Sequence, residues 1–511
     1  MVSTGNKDAG QDKNNASIRP SAYSNQLFAK EHQEIFSASN RDSYAVVLKV
    51  SKLEEDTGRH ICNQFSAGIN GEAFFEKQKE AEARSLHGLG VIVTALFIIG
   101  EMVGGGIVSM PNAVYRQGWT GIFIIVVGGV ASGYTGAQLG WCWTILQQRW
   151  PDVYLKHTRK PYPEMGYRVG GHFVKFLVSV CIDLTLFGAA CVFLIMAAGN
   201  ISQLLLEWFN VHMSFCYWIL IVGACLAPAT LLNSPKDFWQ VSLGAAGATT
   251  VAVIIMLIGM GQDYSKCKPE AKYPAPDFVD FVLGYGAIIF AYGGHSAFPT
   301  IQHDMKDPSK FPKAVYLSYS AIVFYYVPLS VLGYVVYGDG LGKSSSILDI
   351  LPANWVSQAA TLLITIHVIF SFIIVSNPVN QEIESALNIP LNFTWKKVVT
   401  RLSYICLIIF ASESLPSFGM ILDLIGGTTI AAMTFVFPGW FYLALRYRTK
   451  TVLSDVDTPI RWWEWPINCV VIAVGVAGGG ASMYAAVIEV ITSGNQFKLP
   501  CYIASGNGTA T

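Results

Sequence analysis

Two glycine-rich interruptions in long apolar runs are the parts of this 511-residue chain best suited to chemistry. The first is Gly100-Glu-Met-Val-Gly-Gly-Gly-Ile-Val-Ser-Met-Pro111, the second Phe290-Ala-Tyr-Gly-Gly-His-Ser-Ala-Phe-Pro299. Each glycine costs a helix about 1 kcal/mol relative to alanine. Each proline removes a backbone donor, so both runs are expected to break. At membrane depth, broken backbone is tolerated only where protein or a water-filled cavity satisfies it. Two such breaks at matching places in two halves point to a solute site. A half-helix starting after Gly104 presents unpaired N–H groups and a positive dipole end, suited to a carboxylate. Half-helices ending near Met102 and Tyr292 leave free carbonyls, suited to an ammonium group. The predicted site is Val103, Gly104, Gly105, Gly106 and Ile107 with Tyr292, Gly293 and Gly294. It would hold a zwitterion without any side-chain charge. Close helix packing by small residues is the alternative, and it accounts for one such run more readily than for two.

Ionisable side chains inside apolar runs each need a reason. Glu101, beside the first break, is placed to take up and release a proton near neutral pH; otherwise it caps a half-helix or pairs with a cation. Asp183 stands about nine residues into the third run, close to the midplane at about 1.5 Å per residue. It is suited to a coupling proton, a substrate ammonium or a structural hydrogen bond. His295, in the second break, is either a proton relay, since imidazole titrates near physiological pH, or a packed residue bonded to unwound backbone. His367, alone on an apolar stretch, reads as structural. Glu382, Glu384, Asp423 and Glu489 lie near run ends, where the interface solvates them.

The elements that must position these groups are transmembrane helices. Apolar residues make up 52% of the chain and charged residues 13%, against roughly 25% charge in soluble domains; mean hydropathy is +0.42. About 20 apolar residues span a hydrocarbon core of about 30 Å. Eleven runs qualify, near 89–113, 119–143, 174–200, 215–232, 238–260, 279–301, 315–337, 357–377, 398–415, 419–445 and 466–491. With the amino terminus inside, the inner connections hold fifteen Lys and Arg and the outer ones six, which the positive-inside rule favours. Residues 1–87 form a polar tail, expected to be mostly disordered, with a short strand near 44–50 and a surface helix near 72–85. Residues 88–492 form the transmembrane domain, and 493–511 an extracytoplasmic tail. The sequons Asn200-Ile-Ser and Asn507-Gly-Thr would then face outward as glycosylation acceptors. Of the ten cysteines, Cys216, Cys267 and Cys501 fall on the outer side, where a disulfide among them is open. The others read as small buried hydrophobes.

Four stretches resemble the amino acid/auxin permease family. They are Val103-Gly-Gly-Gly-Ile-Val-Ser-Met-Pro111 with Gly118-Trp-Thr-Gly121; Tyr292-Gly-Gly-His-Ser-Ala-Phe-Pro-Thr-Ile-Gln-His-Asp-Met-Lys-Asp-Pro308; Asn377-Pro-Val-Asn-Gln-Glu-Ile-Glu384; and Leu415-Pro-Ser-Phe-Gly, Gly426-Gly-Thr-Thr and Phe437-Pro-Gly-Trp-Phe-Tyr-Leu443. The resemblance implies the leucine-transporter type of all-α membrane fold, a five-plus-five inverted repeat plus one helix, with helices one and six broken. It also implies secondary transport of amino acids driven by protons or sodium, with substrate between helices one and six and helices three and eight closing the pocket. Sodium-coupled members resemble one another in an asparagine four residues before the first glycine of the motif. Here that residue is Gly100, followed by Glu101, which favours protons as the coupling ion over sodium.

The expectation is a secondary active, proton-coupled carrier of neutral amino acids in a lipid bilayer, working by alternating access; an amino-acid sensor of the same fold is the alternative. A net charge of zero gives no reason to expect a nucleic-acid partner. No HExxH or similar cluster suggests an enzyme, and no cofactor or metal is expected. The reading suits a plasma membrane and a lysosomal or vesicular one equally.

Overall fold

The computed structural model describes residues 88–154, 158, 160–231, 238–390, 392, 394–447, 460–492 and 501. The expected strand near 44–50, the helix near 72–85 and the sequon at Asn507 lie outside the described residues. Helices occupy all eleven expected positions: α1a (Val91–Met102) and α1b (Gly105–Gln117), α2 (Thr120–Arg149), α3 (Pro161–Phe209), α4 (Phe215–Thr230) and α5 (Phe238–Cys267), then α6a (Phe278–Ala291) and α6b (Phe298–His303), α7 (Phe311–Tyr337), α8 (Trp355–Ala386), α9 (Trp395–Ser414), α10 (Phe418–Tyr447) and α11 (Glu464–Thr492). Seven described helices are long and apolar enough to cross a membrane, or eight with α1a and α1b as one span bent by 61°. α4 and α6a are shorter apolar helices, and α9 carries Lys396, Lys397, Arg401 and Glu413. The face at which α1a begins is called inner below.

Both breaks fall where the glycines predict. α1a stops at Met102, and Gly104 caps α1b. α6a stops at Ala291, with six residues before α6b. Small residues also serve packing, as the alternative reading expects. A Cβ on Gly106 would lie 2.6 Å from Cα and Cβ of Ala291, and one on Gly284 would lie 3.0 Å from the Ala113 carbonyl. α1b and α6a therefore touch almost backbone to backbone. α10 changes to wider π-helical turns over Gly426–Ile430 and Ala432–Val436, a form often found at functional sites. α3 bends at Gly171, whose φ of 74° suits glycine.

Outside the helices, the chain before α1a pairs with the chain after α6b. Leu89 N donates to Asp304 O at 2.9 Å, and Lys306 N donates to Leu89 O at 3.0 Å. The two broken helices are thus tied together at the inner face.

Cys216, at the start of α4, is bonded to Cys501, one of the pairings left open by the sequence, while Cys267 is free. Cys225, Cys406 and Cys469 are exposed on the protein surface rather than buried. The reading of Asn200 as a glycosylation acceptor is corrected. α3 runs on to Phe209, and Asn200 is a buried helical residue within it. Asn200→Gln is expected to leave the gel mobility of the expressed protein unchanged, with and without glycosidase. A downward shift would place Asn200 on the surface.

Candidate functional site

Where the two breaks meet there is a cavity of about 40 Å³. α1 lines it with Glu101, Met102, Gly105 and Gly106, and α6 with Phe290, Gly293 and Ser296. α3 adds Thr185, Leu186, Ala189 and Phe193, α8 adds Val375, and α10 adds Ile430 from its π-helical stretch. The walls are thus apolar apart from one carboxyl and two hydroxyls, and Thr185 is held by a 2.7 Å bond to Thr429 of α10. Gly105 and Gly106 open α1b, where the first backbone N–H groups of a helix have no partner within it.

Glu101 is the one ionisable side chain among these lining residues. Its Oε2 is out of contact with solvent and has no hydrogen-bond partner, and among the described residues no ion pair includes it. A carboxylate buried without a cation costs several kcal/mol, whereas a carboxyl that keeps its proton avoids most of that cost.

Of the predicted site residues, Gly105, Gly106 and Gly293 line the cavity, with Glu101 from the proton candidates. Val103, Gly104, Ile107 and Tyr292 are buried beside it without lining it, and Gly294 packs against Met102 and Phe298. The Tyr292 hydroxyl donates to Ile125 O on α2 at 2.8 Å. The carbonyls at the end of α6a are also less available than the break alone suggests. Tyr326 of α7 donates to Ala291 O at 2.8 Å, and Tyr319 donates to Tyr292 O at 3.2 Å. Two tyrosines from the next helix cap what the sequence leaves open for an ammonium group.

Asp183 stands apart from the cavity, near Glu382 and Lys160, which pair with each other. His295 is buried, with Nε2 at 3.2 Å from both the Ser132 carbonyl and the Thr135 hydroxyl. The carbonyl can only accept, so Nε2 carries the proton, and Nδ1 is left without a partner. Neither residue joins the wall that Glu101 completes. Thr185, Ser296, Leu186, Ala189, Phe193, Phe290, Val375 and Ile430 were not singled out by the sequence. The only signals for them were the proximity of Phe290 and Ser296 to the second glycine pair and the expected closure by helices three and eight.

Charged pairs flank the site at both ends. Towards the outer face Arg116 of α1b bonds Asp423 of α10 at 2.8 Å, and Gln117 donates to Phe281 O of α6a at 2.9 Å. Towards the inner face Glu384 of α8 accepts from Arg401 of α9 at 2.6 Å and lies 3.4 Å from Lys397. Arg401 also donates to Thr230 O, at the end of α4. Asp423 and Glu384 are buried, so partners rather than the interface offset their charge.

Residues 87–488 match the family described as "Transmembrane amino acid transporter protein". Among curated relatives, "Amino acid transporter AVT1E" of Arabidopsis thaliana is 24% identical over 410 residues, covering 77% of this chain and 72% of that protein. "Amino acid transporter AVT1H" of the same plant is 26% identical over 354 residues, covering 68% and 80%. Among solved structures, a mutant of the manganese transporter of Eremococcus coleocola aligns at 13% identity with a TM-score of 0.48, covering 81% of this chain and 90% of that one.

Proposed function

We propose that this chain, which belongs to the transmembrane amino acid transporter family, is a proton-coupled carrier that moves neutral amino acids by alternating access. The observation that carries the reading is the cavity at the junction of the two breaks, whose wall holds both Glu101, with a buried Oε2 that has no hydrogen-bond partner, and the first residues of α1b. The substrate carboxylate is received by the N–H groups of Gly105 and Gly106, with the positive end of the α1b dipole behind them. Thr185 and Ser296 supply hydroxyls, and Leu186, Ala189, Phe193, Phe290, Val375 and Ile430 surround the substrate's side chain. No cation lines the wall to recognise an acidic side chain, which supports neutral substrates, and the small volume supports small ones.

Glu101 carries the proton. Protonated, it sits in the closed cavity without an unpaired charge; it releases the proton when the cavity opens to water on the side of lower proton activity. Gly100 supports protons rather than sodium as the coupling ion. A Cβ there would overlap the Ser242 carbonyl of α5, so the asparagine of sodium-coupled relatives has no room. Asp183 and His295 are the second-choice carriers, each outside the cavity. In this mechanism the amino terminus is cytoplasmic, and α1 and α6 bend at their breaks as one set of helices moves against the others.

The Arg116–Asp423 bridge closes the outer side between α1b and α10. Asp423→Asn is expected to speed dissociation of bound substrate to that side roughly tenfold, as a lost charge-assisted bond implies. Unchanged dissociation would remove the bridge from gating. The deciding experiment is uptake of a labelled neutral amino-acid mixture into proteoliposomes, under an imposed proton gradient and then a sodium gradient. Concentrative uptake with protons alone is expected. Dependence on sodium would overturn the coupling, and ligand binding without uptake would replace transport by sensing.

A further inference from the structure

His367 has no part in the mechanism above, yet it is fully buried on α8 and stands directly against the α1 break. A Cβ on Gly104 would overlap its Nε2 and Cδ2 atoms, so the ring fills the space that any other residue at 104 would need. Both ring nitrogens are held. Nδ1 lies 3.2 Å from Ala245 O and 2.7 Å from the Thr249 hydroxyl on α5. Because the carbonyl can only accept, the ring proton is on Nδ1. Nε2 then accepts from the Ser371 hydroxyl at 3.1 Å, one turn further along α8. α5 and α8 pack along one another, so the imidazole is fixed to that pair at both nitrogens and presents its edge to Gly104, the second of the two residues that join α1a to α1b.

We propose that His367 is a positioning residue, the fixed wedge over which α1 bends at Gly104, acting as a neutral ring and not as a proton carrier. The wedge rests on the transport reading for its purpose: it sets where α1 breaks and hence how Glu101, three residues earlier, and Gly105, one later, are presented to the cavity. A side chain at 104 has no room beside the ring, whose Nε2 and Cδ2 stand where its Cβ would be.

The test is a size-swap cycle in the full-length protein, with Gly104→Ala, His367→Ala and the double variant, and His367→Gln as the conservative comparison. Exchange of the labelled neutral amino-acid mixture across proteoliposomes and the melting temperature of the purified protein are both read. Gly104→Ala alone is expected to lower exchange roughly tenfold, as overpacking does. On the His367→Ala background the same change is expected to cost much less, because the obstructing ring is gone. Independent effects of the two substitutions would overturn the wedge. The exchange-against-pH profile of His367→Gln should overlay that of the wild type after scaling; a displaced profile would make the ring a titrating group and overturn the proposal as well. If Gly104→Ala fails to fold, recovery of the melting transition in the double variant is the expected result, and failure to recover counts against the contact. If the wild type itself exchanges nothing, the transport reading falls while the melting temperatures still decide the wedge.

Discussion

Glu101→Gln is expected to abolish concentrative uptake driven by a proton gradient while preserving exchange of amino acid across the same membrane. The amide has the shape of the protonated acid, so the cavity that encloses Glu101 with Thr185, Phe193 and Ser296 keeps its form. It cannot release or take up a proton, so the step that links the gradient to substrate movement is lost. The variant resembles a carrier held permanently in its protonated state: loaded substrate crosses in both directions, and accumulation falls to passive equilibration. Proton-driven uptake and counterflow measured side by side in proteoliposomes separate these quantities. Undiminished accumulation by the variant would clear Glu101 and turn attention to Asp183→Asn, whose carboxyl lies near Glu382 and Lys160. Loss of both activities would mean that Glu101 holds the substrate rather than the proton.

The largest loss of stability is expected at the inner ends of α8 and α9. Glu384 is buried between Arg401 and Lys397, and all three side chains are nearly excluded from solvent. Removing one partner of a buried ion pair costs about 3–5 kcal/mol, because the remaining charge stays desolvated. Glu384→Gln takes the carboxylate from both cations at once and so belongs at the upper end of that range. Arg401 keeps its bond to Thr230 O, which cannot neutralise it. The variant should melt well below the wild type in detergent and give little monodisperse protein. Replacing Glu384, Lys397 and Arg401 together by apolar residues of similar size should recover much of the loss, since buried pairs exchange with packed apolar groups at little net cost. A Glu384→Gln protein melting like the wild type would show that water reaches this cluster.

Position along a helix was legible in the sequence, but direction around it and the identity of its neighbours were not. Gly104 to Gly106 and the Gly293–Gly294 pair gave both breaks to the residue, because glycine acts on the backbone that carries it. The apolar runs placed every helix, and the resemblance named the elements that close the pocket. Most of the misreadings depend on contacts distant in sequence. Asn200 matched an acceptor motif, but the run of helix formers after it carries α3 two turns further, to Phe209. The carbonyls ending α6a looked open because Tyr319 and Tyr326 lie on another helix. Asp183 lies near the middle of α3, as its run suggests, but the count could not tell that it would stand near Lys160 and Glu382 rather than on the cavity wall. Asp423 and Glu384, set aside as interfacial, are buried and paired. His367 reads as structural, but nothing local in the sequence shows that it faces Gly104.

In the proposed cycle, the pairing of Leu89 with the segment after α6b adds a threshold to any opening of the inner side that parts the two segments. Two backbone hydrogen bonds at about 0.5–1.5 kcal/mol each bias a two-state equilibrium by roughly 5- to 150-fold. In that cycle the factor favours the arrangement in which the two segments stay paired. The bias comes from main-chain atoms and is therefore blind to the side chains at 89, 304 and 306. Under the proposed cycle, drift at those positions would leave this contribution where it is, inherited through chain geometry rather than residue identity.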